Sequence, residues 1–248
     1  MNSQIWTDQP FNSQWRRNLP LKDPQLLSNV ALFQGLTPKD WHALSQQLHQ
    51  KIYRAGTHII TAEQPGDVVF VILSGTVKIY MDQADGTTVI LAILGPGDVV
   101  GEMSLIDSAG RSANVLTLED SHLLWMERTA FQHCLKRIPA LNYNLVRILS
   151  RRVRLANEQI QALASLDVYG RVARQFLAFA EKYGETSRGD DIRIPIRLTQ
   201  SDLADLVGAS RKRVNQVMVA YKRSGLFSVD AEGYITVHQR DELAQLCH

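Results

Sequence analysis

Apolar positions along this chain change rhythm several times, and each change predicts a different element. From Pro24 to Leu48 they recur at helical spacing, with Leu26, Leu27, Val30, Leu32 and Phe33 leading to Gly35, then Trp41, Leu44 and Leu48. Thr37-Pro38 ahead of the second group reads as an N-cap followed by proline at the first helical position. From Lys51 to Met126 the rhythm shortens to β-rich runs at Ile59-Ile60, Val68–Leu73, Val77–Tyr80, Thr88–Leu94, Val115 and Leu123–Met126. Between them sit Ala55-Gly56, Pro65-Gly66-Asp67, Ser74-Gly75, Ala84-Asp85-Gly86 and Gly95-Pro96-Gly97-Asp98. Short strands with turn signals roughly every ten residues predict a β-sandwich or barrel. Phe131 to Leu166 returns to helix, with Leu141, Leu145, Leu149, Val153, Ala156, Ile160 and Leu163 three or four apart and Arg147, Arg151, Arg152, Arg154 and Glu158 on the faces between. At roughly 1.5 Å per residue this helix outruns a small domain, so its stripe predicts pairing with a second copy; the alternative is packing on its own domain.

Beyond that helix, Gly170-Arg171-Val172-Ala173-Arg174 opens another that runs to about Tyr183. A polar loop follows from Gly184 to Asp191, and Arg193 to Leu198 alternates like a strand. Two helices come next. Thr199 caps the first, with Asp202 as a capping-box partner and Leu203, Leu206 and Val207 as its core face. Gly208 falls where a left-handed residue ends a helix, and Ser210 caps the second helix, whose inner side is Val214, Val217, Met218 and Tyr221. Helix, short glycine turn, helix is a helix-turn-helix signature. Residues 209–223 carry Arg211, Lys212, Arg213, Lys222 and Arg223 and no acid, so the second helix is a candidate DNA-recognition helix. Phe227–Val229 and Tyr234–Val237, joined around Ala231-Glu232-Gly233, read as a two-stranded wing.

Composition narrows the class without choosing a function. The chain has 248 residues, 45% apolar and 21% charged, as ordinary globular proteins do, and length alone suggests one or two domains. Its apolar runs are far short of a membrane span and its N-terminus lacks a signal-peptide core, so the expected location is cytoplasmic. Cys134 and Cys247 lie far apart and form neither a metal spacing nor a disulfide framework. Net charge is +2, split as −1 over residues 1–150 and +3 over 151–248, so a nucleic-acid partner must be argued from local clustering. Residues 1–24 are polar, with Trp6, Phe11, Trp15 and Arg16-Arg17, and read either as a disordered arm or as a segment packed on the body. No paired catalytic carboxylates, metal-ligand cluster or nucleophile motif marks an enzyme.

The stretch around which the rest is organised is Gly101-Glu102-Met103-Ser104-Leu105-Ile106, answered by Arg111-Ser112-Ala113. A glycine turn with free N–H groups and an arginine fork suit a phosphate. An ionised carboxylate only accepts hydrogen bonds, so Glu102 suits a sugar hydroxyl rather than the anion. The spaced set G-E-x-x-L-I-x4-R-S-A resembles the phosphate-binding cassette of cyclic-nucleotide-binding domains. Taken with the order of elements, residues 26 to 240 resemble the Crp/Fnr family of bacterial transcription regulators. The resemblance implies an α+β protein: an arm at 1–24, a jelly-roll-like cyclic-nucleotide-binding β-roll at 25–135, a dimerisation helix and hinge at 136–166 and a winged helix-turn-helix domain at 167–248. It also implies a homodimer on palindromic double-stranded DNA, with RNA polymerase as a partner and no membrane.

The same resemblance assigns residues. Glu102 would hold a ribose 2′-hydroxyl; Arg111 and Ser112 would hold a cyclic phosphate with the backbone near Gly101, Met103 and Ala113. Arg152 and Val153 would approach the base. Where cAMP-responsive relatives place a Thr-Ser pair against adenine, this chain has Ala156 and Asn157, and alanine cannot hydrogen-bond while asparagine both donates and accepts. The effector implied is cAMP, another cyclic nucleotide or none. On the DNA side Arg211 matches an arginine that reads guanine, Lys212 stands where Glu is common and Gln216 where a second Arg is common. A palindromic site other than the family's usual TGTGA half-site follows. Ser210, Arg213 and Asn215 complete the candidate DNA-reading set, and Thr199, Ser201 and Lys222 are candidates for phosphate contact. The iron–sulfur branch of the family needs clustered N-terminal cysteines, which this chain lacks, and no metal ligand is expected. Met103 and the histidines read as packing or surface residues rather than haem ligands.

Overall fold

The computed structural model describes Leu27 and residues 30–107, 109–187 and 189–247; the arm at 1–24 and Leu26 lie outside them. The helical pattern from Pro24 gives a 3-10 turn at Ala31–Phe33 and then α1 (Pro38–Ser45). Thr37 caps α1 reciprocally: its Oγ1 accepts from the Asp40 N–H at 3.2 Å and Asp40 Oδ2 accepts from the Thr37 N–H at 3.1 Å.

Eight strands follow: β1 (His49–Tyr53), β2 (His58–Ile60), β3 (Val68–Ser74), β4 (Val77–Asp82), β5 (Thr88–Leu94), β6 (Val99–Val100), β7 (Asn114–Thr117) and β8 (Ser121–Glu127). The short helix α2 (Met103–Ile106) interrupts them after β6. They form two antiparallel sheets, ordered β1-β8-β3-β6 and β2-β7-β4-β5. Ile60, Phe70, Ile72, Val77, Leu94, Val100, Val115 and Leu123 fill the space between. The alternate residues of β3, Val69 and Val71, pack with Leu124 and Met126 against the helices instead. That explains the unbroken apolar run from Val68 to Leu73: both faces of its strand are covered.

The pattern read as one helical stretch from Phe131 to Leu166, with the long helix starting at 136, is two helices. Helix α3 (Arg128–Arg137) ends at Ile138, whose φ of −117° and ψ of 91° are extended, and α4 runs Pro139–Ser165. Proline has no N–H to continue a helix and pushes its predecessor out of the α region, yet fits the first position of the next helix. At 27 residues α4 spans about 40 Å. Its first turns are fixed by buried Leu141 and Leu145 and by Asn144, whose Nδ2 donates to Leu32 O at 3.1 Å and Gln34 O at 2.7 Å.

The remainder folds as α5 (Val168–Tyr183), β9 (Glu185–Thr186), β10 (Ile192–Ile194), α6 (Gln200–Val207), α7 (Arg211–Arg223), β11 (Phe227–Val229), β12 (Ile235–Val237) and α8 (Arg240–Gln245). The strand expected over Arg193–Leu198 ends at Ile194, one residue before Pro195. The wing pairs Phe227 with Val237 and Val229 with Ile235, and belongs to a four-stranded sheet ordered β11-β12-β10-β9. His238 braces it, with Nδ1 2.9 Å from Asp191 Oδ1 and Nε2 2.8 Å from Ser228 Oγ. Phe176, Leu203, Val214, Val217 and Phe227 form the core of this domain, and Tyr80, Ile90 and Ile93 of the β-roll join the same cluster. The second sheet therefore covers its outer face with the C-terminal domain. Among the described residues no helix is long and apolar enough to cross a membrane.

Candidate ligand pocket and nucleic-acid interface

The cassette begins with a residue that has to be glycine. Gly101 sits at φ +83°, and a Cβ there would lie 2.6 Å from Arg111 Nη1 and 3.0 Å from Val68 O. Left-handed backbone and close approach both exclude a side chain. Glu102, at the start of α2, is 1% exposed, and Arg111 returns to the turn at 8% exposure. Arg111 Nη1 donates to Gly101 O at 2.8 Å and Ser104 Oγ at 2.9 Å, while Nη2 donates to Val68 O at 2.6 Å.

The turn between β2 and β3 closes over this arginine. Glu63 N donates to Arg111 O at 2.9 Å and Arg111 N donates to Gln64 O at 3.1 Å. A Cβ on Gly66 would meet Ser104 Oγ at 2.1 Å and Arg111 Cζ at 3.3 Å. Arg128 ties the same two segments together, donating from Nε to Gly66 O and from Nη2 to Ser104 O, each at 2.8 Å. Burial lowers the Arg111 pKa; Asp67 and Glu102 oppose that shift and Arg128 adds to it. The result is a buried guanidinium whose N–H groups are held on backbone and hydroxyl acceptors, so an anion reaching it exchanges for some of these.

Glu102 is engaged as well. Arg152 Nη1 lies 2.5 Å from Glu102 Oε1, and its Nη2 donates to Val99 O. The structure thus gathers Gly101, Glu102, Arg111 and Arg152, with Ala113 buried beside them and Met103 and Ser112 exposed at the rim. Val153, Ala156 and Asn157 lie on the exposed surface of α4. Sequence reasoning missed Gly66 as a packing partner, Ser104 and Arg128. Gly66 and Ser104 stood in the motifs already noticed, whereas Arg128 lies two strands further on, where no local pattern announces it.

The second candidate site is the α6–α7 pair. Thr199 caps α6 as expected: Asp202 N donates to Thr199 Oγ1 at 3.1 Å, and the Thr199 N–H donates to Asp202 Oδ2 at 3.2 Å. Gly208 takes φ 63° and ψ 50°, the left-handed turn required, and Ser210 Oγ accepts from the Arg213 N–H at 3.3 Å to start α7. Val214, Val217, Met218 and Tyr221 are buried, which turns Arg211, Lys212, Arg213, Asn215, Gln216 and Lys222 outward. Three of these are pre-set. Asn215 Oδ1 accepts from Gln200 Nε2 at 3.0 Å, joining the two helices, and Arg213 Nη1 donates to Gln216 Oε1 at 3.2 Å with its guanidinium 5.4 Å from the Tyr169 ring centroid. Ser201 is exposed at the start of α6. Asp202 does more than cap: its Oδ1 lies 2.9 Å from Lys78 Nζ of β4, which fastens α6 to the β-roll.

Among the described residues no group of three or more His, Cys, Asp or Glu could hold a metal ion. Residues 50–138 match the cyclic nucleotide-binding domain model, and residues 170–246 match the Crp-like helix-turn-helix domain model. A CRP-like cAMP-activated global transcriptional regulator of Mycobacterium tuberculosis is 33% identical over 89% of this chain and 98% of its own length. Among solved structures, FixK2 of Bradyrhizobium japonicum superposes with a TM-score of 0.72 at 19% identity, covering 81% of this chain and 98% of that one. The c-di-GMP responsive global regulator CLP of Xanthomonas campestris does so with a TM-score of 0.67 at 22% identity, covering 82% and 100%. With a nucleotide-type cassette and a basic helix-turn-helix on one chain, and matches that span both, the chain belongs to the Crp/Fnr family of DNA-binding transcription regulators and is not an enzyme.

Proposed function

We propose that the protein is a homodimer that binds a palindromic DNA site under the control of a cyclic nucleotide, cAMP first among them. The observation that carries the effector half is the meeting of Glu102, Arg111 and Arg152 around Gly101: one carboxylate for a ribose hydroxyl and two guanidiniums beside it. The M. tuberculosis relative, described as cAMP-activated, supports the choice of nucleotide.

The dimer half rests on α4. Val146, Val153 and Ile160 stand seven residues apart and are 55%, 60% and 66% exposed. Leu149, Ala156 and Leu163 fall between them at the alternate positions of a heptad. β-Branched residues at the first core position with leucine at the other favour parallel two-stranded coiled coils. Such a pair would bring Asn157, flanking the seam, toward the partner's base-binding side. It would also present two α7 helices to successive major-groove turns, about 34 Å apart. Arg211 then reads guanine, Gln216 adenine, and Lys212 guanine or phosphate, with Thr199, Ser201 and Lys222 on the backbone. Transcription regulation implies RNA polymerase as a further partner.

Isothermal titration with cAMP tests the effector half, with Arg111→Ala as the comparison and circular dichroism to confirm its fold. Losing charge-assisted bonds to the phosphate is expected to weaken binding roughly 10- to 100-fold. A second reading keeps DNA binding but gives the pocket another ligand or none, with control by redox state or a protein partner. Ala156, which offers adenine no hydrogen bond, favours it. Wild-type protein that takes up no cAMP, and whose DNA affinity ignores added nucleotide, selects this second reading.

A further inference from the structure

The contacts that dock the DNA-binding domain on the β-roll run into the candidate ribose carboxylate without a break. Arg152 is the shared member, holding Glu102 with one nitrogen and Val99 O with the other. Val99 follows Asp98, and Asp98 grips the other domain. Lys182 Nζ of α5 lies 2.8 Å from both Asp98 carboxylate oxygens, and the Tyr183 hydroxyl donates to Oδ2 at 2.6 Å. The same Oδ2 accepts from Gly95 N at 3.1 Å, which shapes the Gly95–Asp98 turn. The Tyr183 ring closes on that turn so tightly that a Cβ on Gly95 would lie 3.1 Å from its Cε1. Side-chain exposure is 16% for Asp98, 23% for Lys182 and 2% for Glu102, so these charges are little screened. Burial lowers the Lys182 pKa and raises that of Tyr183 well above its ordinary value; Asp98 opposes the first shift and adds to the second, and the Arg152 charge acts on both groups.

We propose that Asp98 couples the nucleotide site to the DNA-binding domain, gripping Lys182 and Tyr183 in one domain arrangement and releasing them when a ribose hydroxyl takes Glu102 from Arg152. This rests on the nucleotide-gated reading above. Glu102 is buried, so a sugar hydroxyl can reach it only by exchanging with, or sharing, the Arg152 guanidinium. The displaced guanidinium, still held at Val99 O beside the Asp98 loop, becomes a second cation for the Asp98 carboxylate. A carboxylate shared between two cations holds Lys182 less firmly. The two partner sets define two states, and a ligand that favours one set shifts the balance between them. Lys78–Asp202 is a separate tether to α6 that leaves when the domain does.

The test uses the full-length wild type, Asp98→Asn and Tyr183→Phe. The asparagine substitution keeps an oxygen for the Gly95 N–H while removing the charge on Lys182, and the phenylalanine substitution removes one hydroxyl only. cAMP affinity is measured by titration calorimetry. DNA affinity, with and without cAMP, is measured on a duplex enriched from a random pool by the wild type. Both variants are expected to shift the cAMP-free DNA affinity in the direction in which cAMP shifts the wild type. The ratio of DNA affinities with and without cAMP shrinks by about fivefold or more in Asp98→Asn, and cAMP binds the variant more tightly in return. A merely structural role would lower the melting temperature and leave that ratio alone. Variants whose ratio equals that of the wild type overturn the proposal while leaving nucleotide gating intact. A wild type that binds cAMP with no change in DNA affinity overturns the gated reading and this coupling together. A wild type that binds no cAMP removes the gated reading and this coupling with it.

Discussion

At the scale of single residues the candidate pocket is governed by what glycine permits. Gly101 and Gly66 let the backbone approach the Arg111 side chain from two directions, and Arg111 answers by bonding the carbonyls of Gly101 and Val68. Gly66→Ala places a Cβ on Ser104 Oγ, and packed interiors absorb such an intrusion at a cost of about 1–3 kcal/mol. The guanidinium of Arg111, next in line at 3.3 Å, shifts with it. The expected outcome is weaker cAMP binding in calorimetry together with a lower melting temperature; unchanged values for both would show that the turn has slack. Glu102, Arg111 and Ser112 could be picked out from the sequence because their spacing is local. Their present partners could not, since Arg152 arrives from a helix fifty positions along the chain from Glu102.

At the scale of elements, capping signals proved the most informative. Both threonine capping boxes form, and Gly208 and Ser210 set the bounds of α6 and α7. Gly208→Ala forces a left-handed alanine and brings a Cβ to 3.2 Å from Leu163 Cδ2 at the foot of α4. Left-handed backbone costs a non-glycine residue roughly 1–2 kcal/mol, so thermal denaturation is expected to show that loss with cAMP affinity unchanged. Apolar periodicity was less reliable. It ran through Ile138-Pro139 because the stripe continues across the break, although proline chemistry ends the helix there. It also passed over β1, whose sequence His-Gln-Lys-Ile-Tyr is largely polar, and over the two-residue β6. β1 lies at an edge of its sheet with none of its residues buried, so it needs little apolar cover, whereas β6 at the opposite edge buries both of its valines but is too short to show an alternation.

At the scale of the whole molecule, the exposed heptad face on α4 is the main apolar surface that the described residues of the single chain leave uncovered. Ile160→Asp would place a charge at a core position of the proposed seam, where burial of an unpaired carboxylate is costly. Sedimentation is expected to show a monomer. DNA binding falls toward the non-specific range, about a thousandfold or more weaker, because one recognition helix cannot span two half-sites. An Ile160→Asp protein that sediments as a dimer with full DNA affinity would place the partner contact elsewhere. The domain docking belongs to this scale too. Tyr80, Ile90 and Ile93 are buried by the DNA-binding domain, while Val89 and Leu91 on the same strand as the two isoleucines remain 40% and 42% exposed.

The sequence by itself determined the order of the domains, the cassette, the helix-turn-helix with its caps and the basic face of α7. Each is written in short-range spacing, where turn chemistry, helix period and charge act between neighbours. Only the tertiary structure decided which partners the key charges take: Glu102 with Arg152, Asp98 with Lys182 and Tyr183, Asp202 with Lys78. Those pairs join residues fifty or more positions apart, and no pattern along a chain records which distant segments packing will bring together.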